Sequence, residues 1–270
     1  MDHSAGARVA APFAADLADR LALRLVLVHA VQPPLPQPGI APGAGALETT
    51  NWDAIDQLRR AGAKLLEEMA QELGADREVV TELKIGDASS VVAAAAERYR
   101  ADLLVVGSRG LGSVGALILG SVSRRLAVDA PCPTVIVPES GETIGDGPIL
   151  CAVDDTEGAR TAVATAARLS ERLNARLILA HVAPENAPAD HGEELLARVV
   201  ADNGLGDSVE RTLVQGEAAE AIVEAATSHG VGMIVIGSRG RGALASAALG
   251  SVSSAVATHA SCAVTIVRDR

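Results

Sequence analysis

Two glycine- and serine-rich stretches of this chain carry the residues best suited to bind an anion. The first contains Gly107-Ser108-Arg109-Gly110 and Gly120-Ser121-Val122-Ser123, and the second contains Gly237-Ser238-Arg239-Gly240 and Gly250-Ser251-Val252-Ser253. Glycine lets backbone N–H groups approach oxygen atoms closely, because no Cβ atom intervenes. A helix that begins at the serine adds its free N–H groups and its dipole to the attraction for phosphate. The shared pattern, G-x2-G-x9-G-S, therefore predicts a phosphate-binding loop in each stretch.

Two other interpretations of these glycines compete with that prediction. A dinucleotide-binding fingerprint is also present, as Gly110-x-Gly112-x-x-Gly115 and Gly240-x-Gly242-x-x-Ala245. Such a fingerprint belongs after the first strand of a βαβ unit, and here it follows the fourth predicted strand, so its position disfavours it. A purely structural role, with glycines in tight turns and serines capping helices, stays open. A P-loop is excluded because the sequence G-x4-G-K-[ST] does not occur.

The chain is an internal repeat, which is why these stretches occur twice. Residues 2–30 align with residues 154–182 at an offset of 152, and residues 86–137 align with residues 216–267 at an offset of 130. The two offsets differ by 22 residues, and much of that excess lies in a Pro/Gly/Ala-rich segment at 33–51. We predict one domain at 1–138, a linker at 139–147 and a second domain at 148–270.

Each copy alternates short apolar runs with helical periodicity, which predicts a doubly wound α/β fold with a parallel five-stranded sheet. In the second copy we predict strands at 148–154, 176–182, 208–216, 232–237 and 263–268, with helices around 162–173, 192–203, 218–229 and 251–259. The first copy starts at Asp2, preceded only by Met1. We therefore expect the first copy to lack its first strand, and we interpret the sequence as beginning too late.

Composition narrows the class of protein. The net charge of −11 disfavours binding to nucleic acid or to an anionic membrane, both of which attract basic surfaces. Neither a membrane-spanning apolar stretch nor a signal peptide is found in the sequence. Cys132, Cys151 and Cys262 show no metal-ligand spacing, so we expect free thiols, largely buried, in a reducing compartment. These features predict a cytoplasmic location.

Taken with the repeat, these residues resemble the tandem universal stress proteins over essentially the whole chain. The resemblance rests on the G-x2-G-x9-G-S pattern, on an aspartate after the first strand position (Asp2, Asp154), and on His-Ala or His-Val ending the second strand. It implies the strand order 3-2-1-4-5 of adenine nucleotide alpha hydrolase-like folds. It also implies that ATP, with or without Mg²⁺, is bound where strands one and four end.

The resemblance also implies the site residues of each copy. In the second copy they are Val153, Asp154, Val182, Gly237, Arg239, Gly240, Gly250, Ser251, Val252 and Ser253. In the first copy they are Asp2, Ala30, Gly107, Arg109, Gly110, Gly120, Ser121, Val122 and Ser123. Val153 and Asp154 are expected to line the adenosine, and the backbone of Val182 to contact the adenine edge. Asp2 and Ala30 match Asp154 and Val182 in the first copy, and the residues of the glycine- and serine-rich stretches are expected to hold ribose and phosphates.

The two copies of the site are not expected to be equivalent. Without its first strand, the first copy has nothing in sequence to fix the Asp2 carboxylate, so we expect the second site to be the better one. For Asp154 itself, a role as an N-terminal helix cap remains the alternative to a role in binding.

These features favour a regulatory ATP-binding stress-response protein whose nucleotide state alters partner binding or assembly. No catalytic residue or metal ligand is assigned, so any ATP hydrolysis is expected to be slow. Two alternatives stay open: an enzyme of this fold that hydrolyses or transfers from ATP, and a non-nucleotide interaction module. The repeat predicts an intrachain pseudo-dimer joined through TVIV (134–137) and VTIV (264–267), and the resemblance implies a homo-oligomer and an unidentified regulatory partner.

Overall fold

The computed structural model describes residues 1–2, 4–33, 52–74, 77–110, 119–141, 144–183, 189–206, 209–239 and 248–268. Its helices are α1 (Ala5–Arg20), α2 (Trp52–Leu73), α3 (Ala88–Arg98), α4 (Ser121–Asp129), α5 (Glu157–Leu173), α6 (Ala189–Asp202), α7 (Ala218–Ser228) and α8 (Ser251–His259). Its strands are β1 (Leu25–Val31), β2 (Val79–Ile85), β3 (Leu104–Gly107), β4 (Thr134–Val137), β5 (Ile149–Ala152), β6 (Leu177–Ala183), β7 (Glu210–Gln215), β8 (Met233–Gly237) and β9 (Ala263–Val267). No helix within these ranges is long and apolar enough to cross a membrane.

The second copy forms a parallel sheet in the order β7-β6-β5-β8-β9. If the five strands of the second copy are numbered from 1 to 5 along the chain, their order in the sheet is 3-2-1-4-5. Every residue of β5, at the centre, is buried. Helices α5 and α6 pack on one face of the sheet and α7 and α8 on the other, which makes the fold doubly wound.

The two copies are joined through β4 and β9, as the sequence predicts. These strands pair antiparallel, with Val135 opposite Thr265 and Ile136 opposite Val264. All four residues are at most 1% exposed, so the joint is part of the core. Because β4 also pairs with β3, the sheet of the second copy continues into the first copy and reaches seven strands.

The four described strands of the first copy do not form one sheet. Its described strands divide into β3-β4, which extend the large sheet, and β1-β2, which form a separate two-stranded parallel sheet. In the second copy β5 pairs with both neighbours and so connects the two halves. In the first copy α1 makes the connection instead, because Phe13 and Leu17 pack in the core of the large sheet while Ala15 and Ala18 pack against β1.

The cysteines give a first test of this packing. They form no disulfide, and burial raises the pKa of the Cys151 thiol and raises that of Cys262 to about 11, from an ordinary value of 9.0. At pH 8 we expect iodoacetamide to spare Cys151 and to alkylate Cys262 about 100-fold more slowly than an unfolded cysteine, because the thiolate is the nucleophile. Mass spectrometry of native and guanidinium-unfolded protein measures both rates.

The raised pKa values of these thiols predict how the stability of the fold changes at alkaline pH. Because their pKa values are higher in the folded than in the unfolded state, the unfolded chain loses these protons first. We expect their contribution to be complete below pH 9 and the free energy of unfolding to fall as pH rises above it. A Cys262→Ser variant should show a smaller fall between pH 9 and pH 11, and an unchanged fall would contradict this assignment.

Candidate functional site

The residues that follow β5 and β8 meet at one edge of the sheet, because these parallel neighbours end side by side. The start of α8 is tied to the end of β8: Gly250 N–H donates to the Ser238 carbonyl over 2.9 Å, and Ser253 Oγ donates to the same oxygen over 3.1 Å. These bonds place the beginning of α8 next to the chain that leaves β8. Gly240 of the predicted site lies outside the described residues.

The first copy builds the same junction between β3 and α4. Gly120 N–H donates to the Ser108 carbonyl over 2.8 Å, and Ser123 Oγ donates to the Gly107 carbonyl over 2.6 Å. The two halves of each G-x2-G-x9-G-S pattern are therefore brought together, as a phosphate-binding loop requires. The residues between Gly110 and Leu119 lie outside the described ranges.

The starts of α4 and α8 differ from those of α1, α3, α5 and α7. Side chains of Ser4, Asp87, Thr156 and Glu217 accept backbone N–H groups at the starts of α1, α3, α5 and α7. The N-caps of α4 and α8 are glycines with no side-chain hydrogen bond. The first N–H groups of a helix have no partner within it, so these two helix starts present donors, and the positive end of a dipole, to an anion.

The serines of the pattern divide into two kinds. Ser121 and Ser251 are exposed at the first position of their helices, where their hydroxyl groups can reach a ligand. Ser123 and Ser253 are 4% and 3% exposed and donate their hydroxyl protons to backbone carbonyls. A hydroxyl has one proton to donate, so Ser123 and Ser253 close the loop in this structure, and a part for them in binding stays a prediction.

Asp154 is held at the end of β5 by the residue that caps α5. Its Oδ1 accepts hydrogen bonds from the Thr156 backbone N–H and hydroxyl, at 3.0 Å and 2.5 Å. The capping bond itself, from Ala159 N–H, goes to Thr156 Oγ1 over 3.3 Å. Thr156 is thus the N-cap of α5, and Asp154 lies two residues before it. Oδ2 of Asp154 accepts no hydrogen bond from the described residues.

The expectation that nothing fixes Asp2 is wrong. Asp2 Oδ1 accepts from the Ser4 backbone N–H at 3.0 Å and from the Ser4 hydroxyl at 2.5 Å, and Ser4 in turn caps α1. The carboxylate also lies beside the loop after β3, since a methyl group placed on Gly110 would be 3.4 Å from Asp2 Oδ2. A local turn holds the aspartate, and this turn does not need the preceding strand.

His181, near the end of β6, is hydrogen-bonded to Val153, the residue before Asp154. His181 is 5% exposed, and its Nδ1 lies 2.8 Å from the Val153 carbonyl, which makes Nδ1 the protonated nitrogen. Val153 N–H donates to the Ala180 carbonyl over 2.8 Å, so both backbone groups of Val153 are used in holding this corner. His29 contacts the Met1 carbonyl in the same way. Val182 and Ala30 follow these histidines in the chain, and both are half-buried.

The two arginines of the pattern stand in different surroundings. Arg109 lies 3.6 Å from Glu139, with about a quarter of its side chain exposed, so an acidic group competes with any phosphate at the first site. Such a partly exposed pair contributes about 1 kcal/mol or less and can be exchanged for another anion. Arg239 of the second copy is half-buried.

Gly6 and Gly158, to which the sequence assigns no role, lie where α1 and α5 contact the ends of β3 and β8. A methyl group on Gly107 would lie 2.5 Å from the Gly6 backbone, and one on Gly6 would lie 2.2 Å from the Arg109 carbonyl oxygen. In the second copy a methyl group on Gly237 would lie 3.0 Å from the Gly158 backbone. The helix after the first strand position therefore touches the end of the fourth strand backbone to backbone. Gly107 and Gly237 serve this contact, which is independent of any ligand.

Known proteins share this repeat and this fold. The family model described as "Universal stress protein family" matches residues 1–138 and 147–268. The chain is 27% identical over 268 residues to a universal stress protein of Mycobacterium tuberculosis, covering 91% of this chain and 87% of that one. Over 136 residues it is 37% identical to a universal stress protein of Thermus aquaticus, covering 50% of this chain and 93% of the other. The crystal structure of a universal stress protein from Archaeoglobus fulgidus matches with a TM-score of 0.75 at 21% identity, covering 99% of this chain and 96% of that chain, and so shares the fold.

Proposed function

Because the chain belongs to the universal stress protein family, we propose that it binds ATP, with or without Mg²⁺, at the edge of the sheet where β5 and β8 end. The observation that carries the proposal is the uncapped start of α8, which hydrogen bonds hold against the end of β8. In this proposal the N–H groups at Ser251 and Val252 bind phosphate, and the outward oxygen of Asp154 binds the ribose. The sheet edge at Val153 and Val182 receives the adenine.

The first copy is proposed to hold a second, weaker nucleotide. Its α4 start is uncapped in the same way, and Asp2 is fixed by Ser4. Glu139 beside Arg109 lowers its affinity for phosphate, because like charges repel across a short distance. We propose that nucleotide occupancy alters assembly into a homo-oligomer or contact with a regulatory protein partner in the cytoplasm during stress, with ATP hydrolysis slow.

Equilibrium binding of labelled ATP to the full chain tests this proposal. We expect saturable binding, and stabilisation by about 2.7 kcal/mol when free ATP exceeds its Kd 100-fold. Adenosine should bind more weakly than ATP, because the helix starts act on phosphate. A chain that binds no ATP at millimolar concentration, with an unchanged melting temperature, would contradict the proposal, and turnover above about 1 per second would identify an enzyme instead.

A further inference from the structure

Gly62 of α2 and Gly192 of α6 occupy the same place in the two copies. A methyl group on Gly62 would collide with the His29 ring, and one on Gly192 would lie 3.2 Å from the His181 ring. These two histidines are equivalent in the repeat, and each lies two residues before the end of its strand, β1 or β6. The glycines therefore mark the level at which each helix passes the histidine of its sheet.

Beyond this level α2 extends much further than α6. Because each helix joins two parallel strands, its start lies toward their carboxyl ends. α2 begins at Trp52, ten residues before Gly62, whereas α6 begins at Ala189, three residues before Gly192. At a rise of about 1.5 Å per residue, α2 reaches about 15 Å past the histidine and α6 about 4.5 Å. The strands end about 6.6 Å past it, so α2 projects about 8 Å above its sheet and α6 stops below the strand end.

The projecting part of α2 comes from the residues by which the first copy is longer. The offset between the copies is 152 up to Ala30, and it is already 130 at Gly62 and at Leu65-Leu66, which match Leu195-Leu196. The 22 extra residues therefore fall between residues 30 and 62. Part of this excess forms helix, at the edge of the sheet where the first nucleotide is proposed to bind.

Leu58 lies in the projecting part, on the face of α2 that packs against the sheet. Ile55, Gly62 and Leu65, which are three, four and seven residues away from it, are all buried, and this spacing defines one helix face. Leu58 is nevertheless 43% exposed. It lies four residues past Gly62, which is about 6 Å, and so stands level with the end of β1.

Ile85, the last residue of β2, is at the same level and on the same side of the sheet. Leu83 faces α2, because its Cδ1 would lie 3.1 Å from a methyl group on Gly62. Side chains two residues apart in a strand point to the same face, so Ile85 also points toward α2. It is 46% exposed. Leu58 and Ile85 together form what we call the apolar ledge.

The apolar ledge borders the end of β1, where the first copy is predicted to contact adenine. Val31 pairs with Ile85 across the two strands, and Ala30, the predicted adenine contact, comes just before Val31. Neighbouring strands lie about 4.8 Å apart, so the ledge is one strand away from Ala30. Apolar side chains gain from contact with a flat nucleobase and gain nothing from a phosphate. The ledge therefore suits the base end of a nucleotide.

We propose that the apolar ledge is a wall of the first site, and that Leu58 and Ile85 contact the base of the nucleotide bound there. The inference rests on the proposed function, and it makes the two sites different. Among the described residues of the second copy, α6 begins too late to supply a counterpart of Leu58. The first site thus binds through the base to a greater degree, and adenosine and ATP should differ less in affinity there than at the second site.

Photolabelling of the full chain with 8-azido-ATP, which carries its reactive group on the base, tests the proposal. Trypsin cleaves after Arg24 and Arg59, and mass spectrometry of the fragment 25–59 locates the label. We expect saturable labelling within residues 52–59 that excess ATP prevents. Saturable labelling confined to other parts of the chain overturns this inference and leaves the proposed function in place. A chain that binds no ATP contradicts the proposed function, and the inference fails with it.

Leu58→Gln measures the contribution of the ledge. The probe concentration that half-saturates the fragment 25–59 should rise about five- to tenfold, because apolar contact with the base is lost. Leu58→Met should restore it, and Gln57→Ala, at an exposed neighbouring position off the packed face, should leave it unchanged. Labelling of the fragment 177–198, which contains Val182 of the second site, should be the same in all variants. Equal half-saturation of the Leu58→Gln and original chains, both folded by circular dichroism, overturns the proposal.

Discussion

Ser251→Asp is expected to weaken ATP binding at the second site by about 100-fold, which corresponds to about 2.7 kcal/mol. The exposed Ser251 side chain stands at the start of α8, where the proposed phosphates lie. A carboxylate there repels them, since two like charges 4 Å apart cost about 4 kcal/mol near a protein surface before salt screening. Isothermal titration calorimetry with ATP measures the change in Kd.

The same substitution is expected to stabilise the folded chain slightly. A negative charge at a helix start interacts favourably with the dipole, by about 0.3–1 kcal/mol, and no side chain fills that role at α8. A loss of binding together with an unchanged or higher melting temperature separates a direct effect on the site from misfolding. If the site is built on backbone N–H groups, the substitution should lower the affinity for ATP and should not lower the stability of the fold.

Two variants control the experiment. Ser251→Ala keeps the backbone N–H and removes the hydroxyl, so it should weaken binding less than tenfold. Ser90→Asp places the same charge at an exposed position in the first turn of α3, whose start Asp87 already caps, and should leave affinity at the second site unchanged. If Ser251→Asp binds ATP as tightly as the original chain, the phosphates do not lie at α8.

The sequence predicts the strands and helices of the second copy and the joint between β4 and β9 because these depend on local patterns. Apolar runs and helical periodicity report burial within one element, and the repeat supplies each pattern twice. The hydrogen-bonding partner of a polar side chain is not reported by such a local pattern. The sequence predicts that Ser123 and Ser253 bind a ligand, but it does not predict that both hydroxyls donate to carbonyls 15 or 16 positions earlier in the chain and so close the loop.

The contact between Gly6 and Gly107 cannot be predicted from a local pattern, because about 100 residues separate the two glycines. One signal for it was nevertheless present in the sequence. Gly6 and Gly158 align in the repeat and both fall within the first turn of a helix. Glycine usually destabilises a helix by about 0.5–1 kcal/mol relative to alanine, so its presence at the same helix position in both copies indicates a close backbone approach.

That contact leads to the largest stability effect we expect. Gly6→Ala should lower the free energy of unfolding by about 2–3 kcal/mol, as overpacking of a tight contact does. The added methyl group would lie 2.2 Å from the Arg109 carbonyl oxygen, which belongs to the backbone and cannot rotate away. The sign is the reverse of the usual gain from replacing a helical glycine by alanine. Urea unfolding of the full chain, followed by circular dichroism, measures it.

Gly110→Ala is the matched control, because among the described residues its methyl group would meet only Asp2 Oδ2, at an ordinary 3.4 Å. It should change stability by less than about 0.5 kcal/mol.

Gly107→Ala should cost about as much as Gly6→Ala, and the double variant should cost less than the two single losses added, because both disturb one contact. Gly237→Ala should cost less, since its methyl group would meet the Gly158 backbone at 3.0 Å, against 2.5 Å between Gly107 and Gly6. Equal stability of Gly6→Ala and the original chain would mean that α1 and β3 do not meet backbone to backbone, and the glycines of the pattern would then return to a role in binding alone.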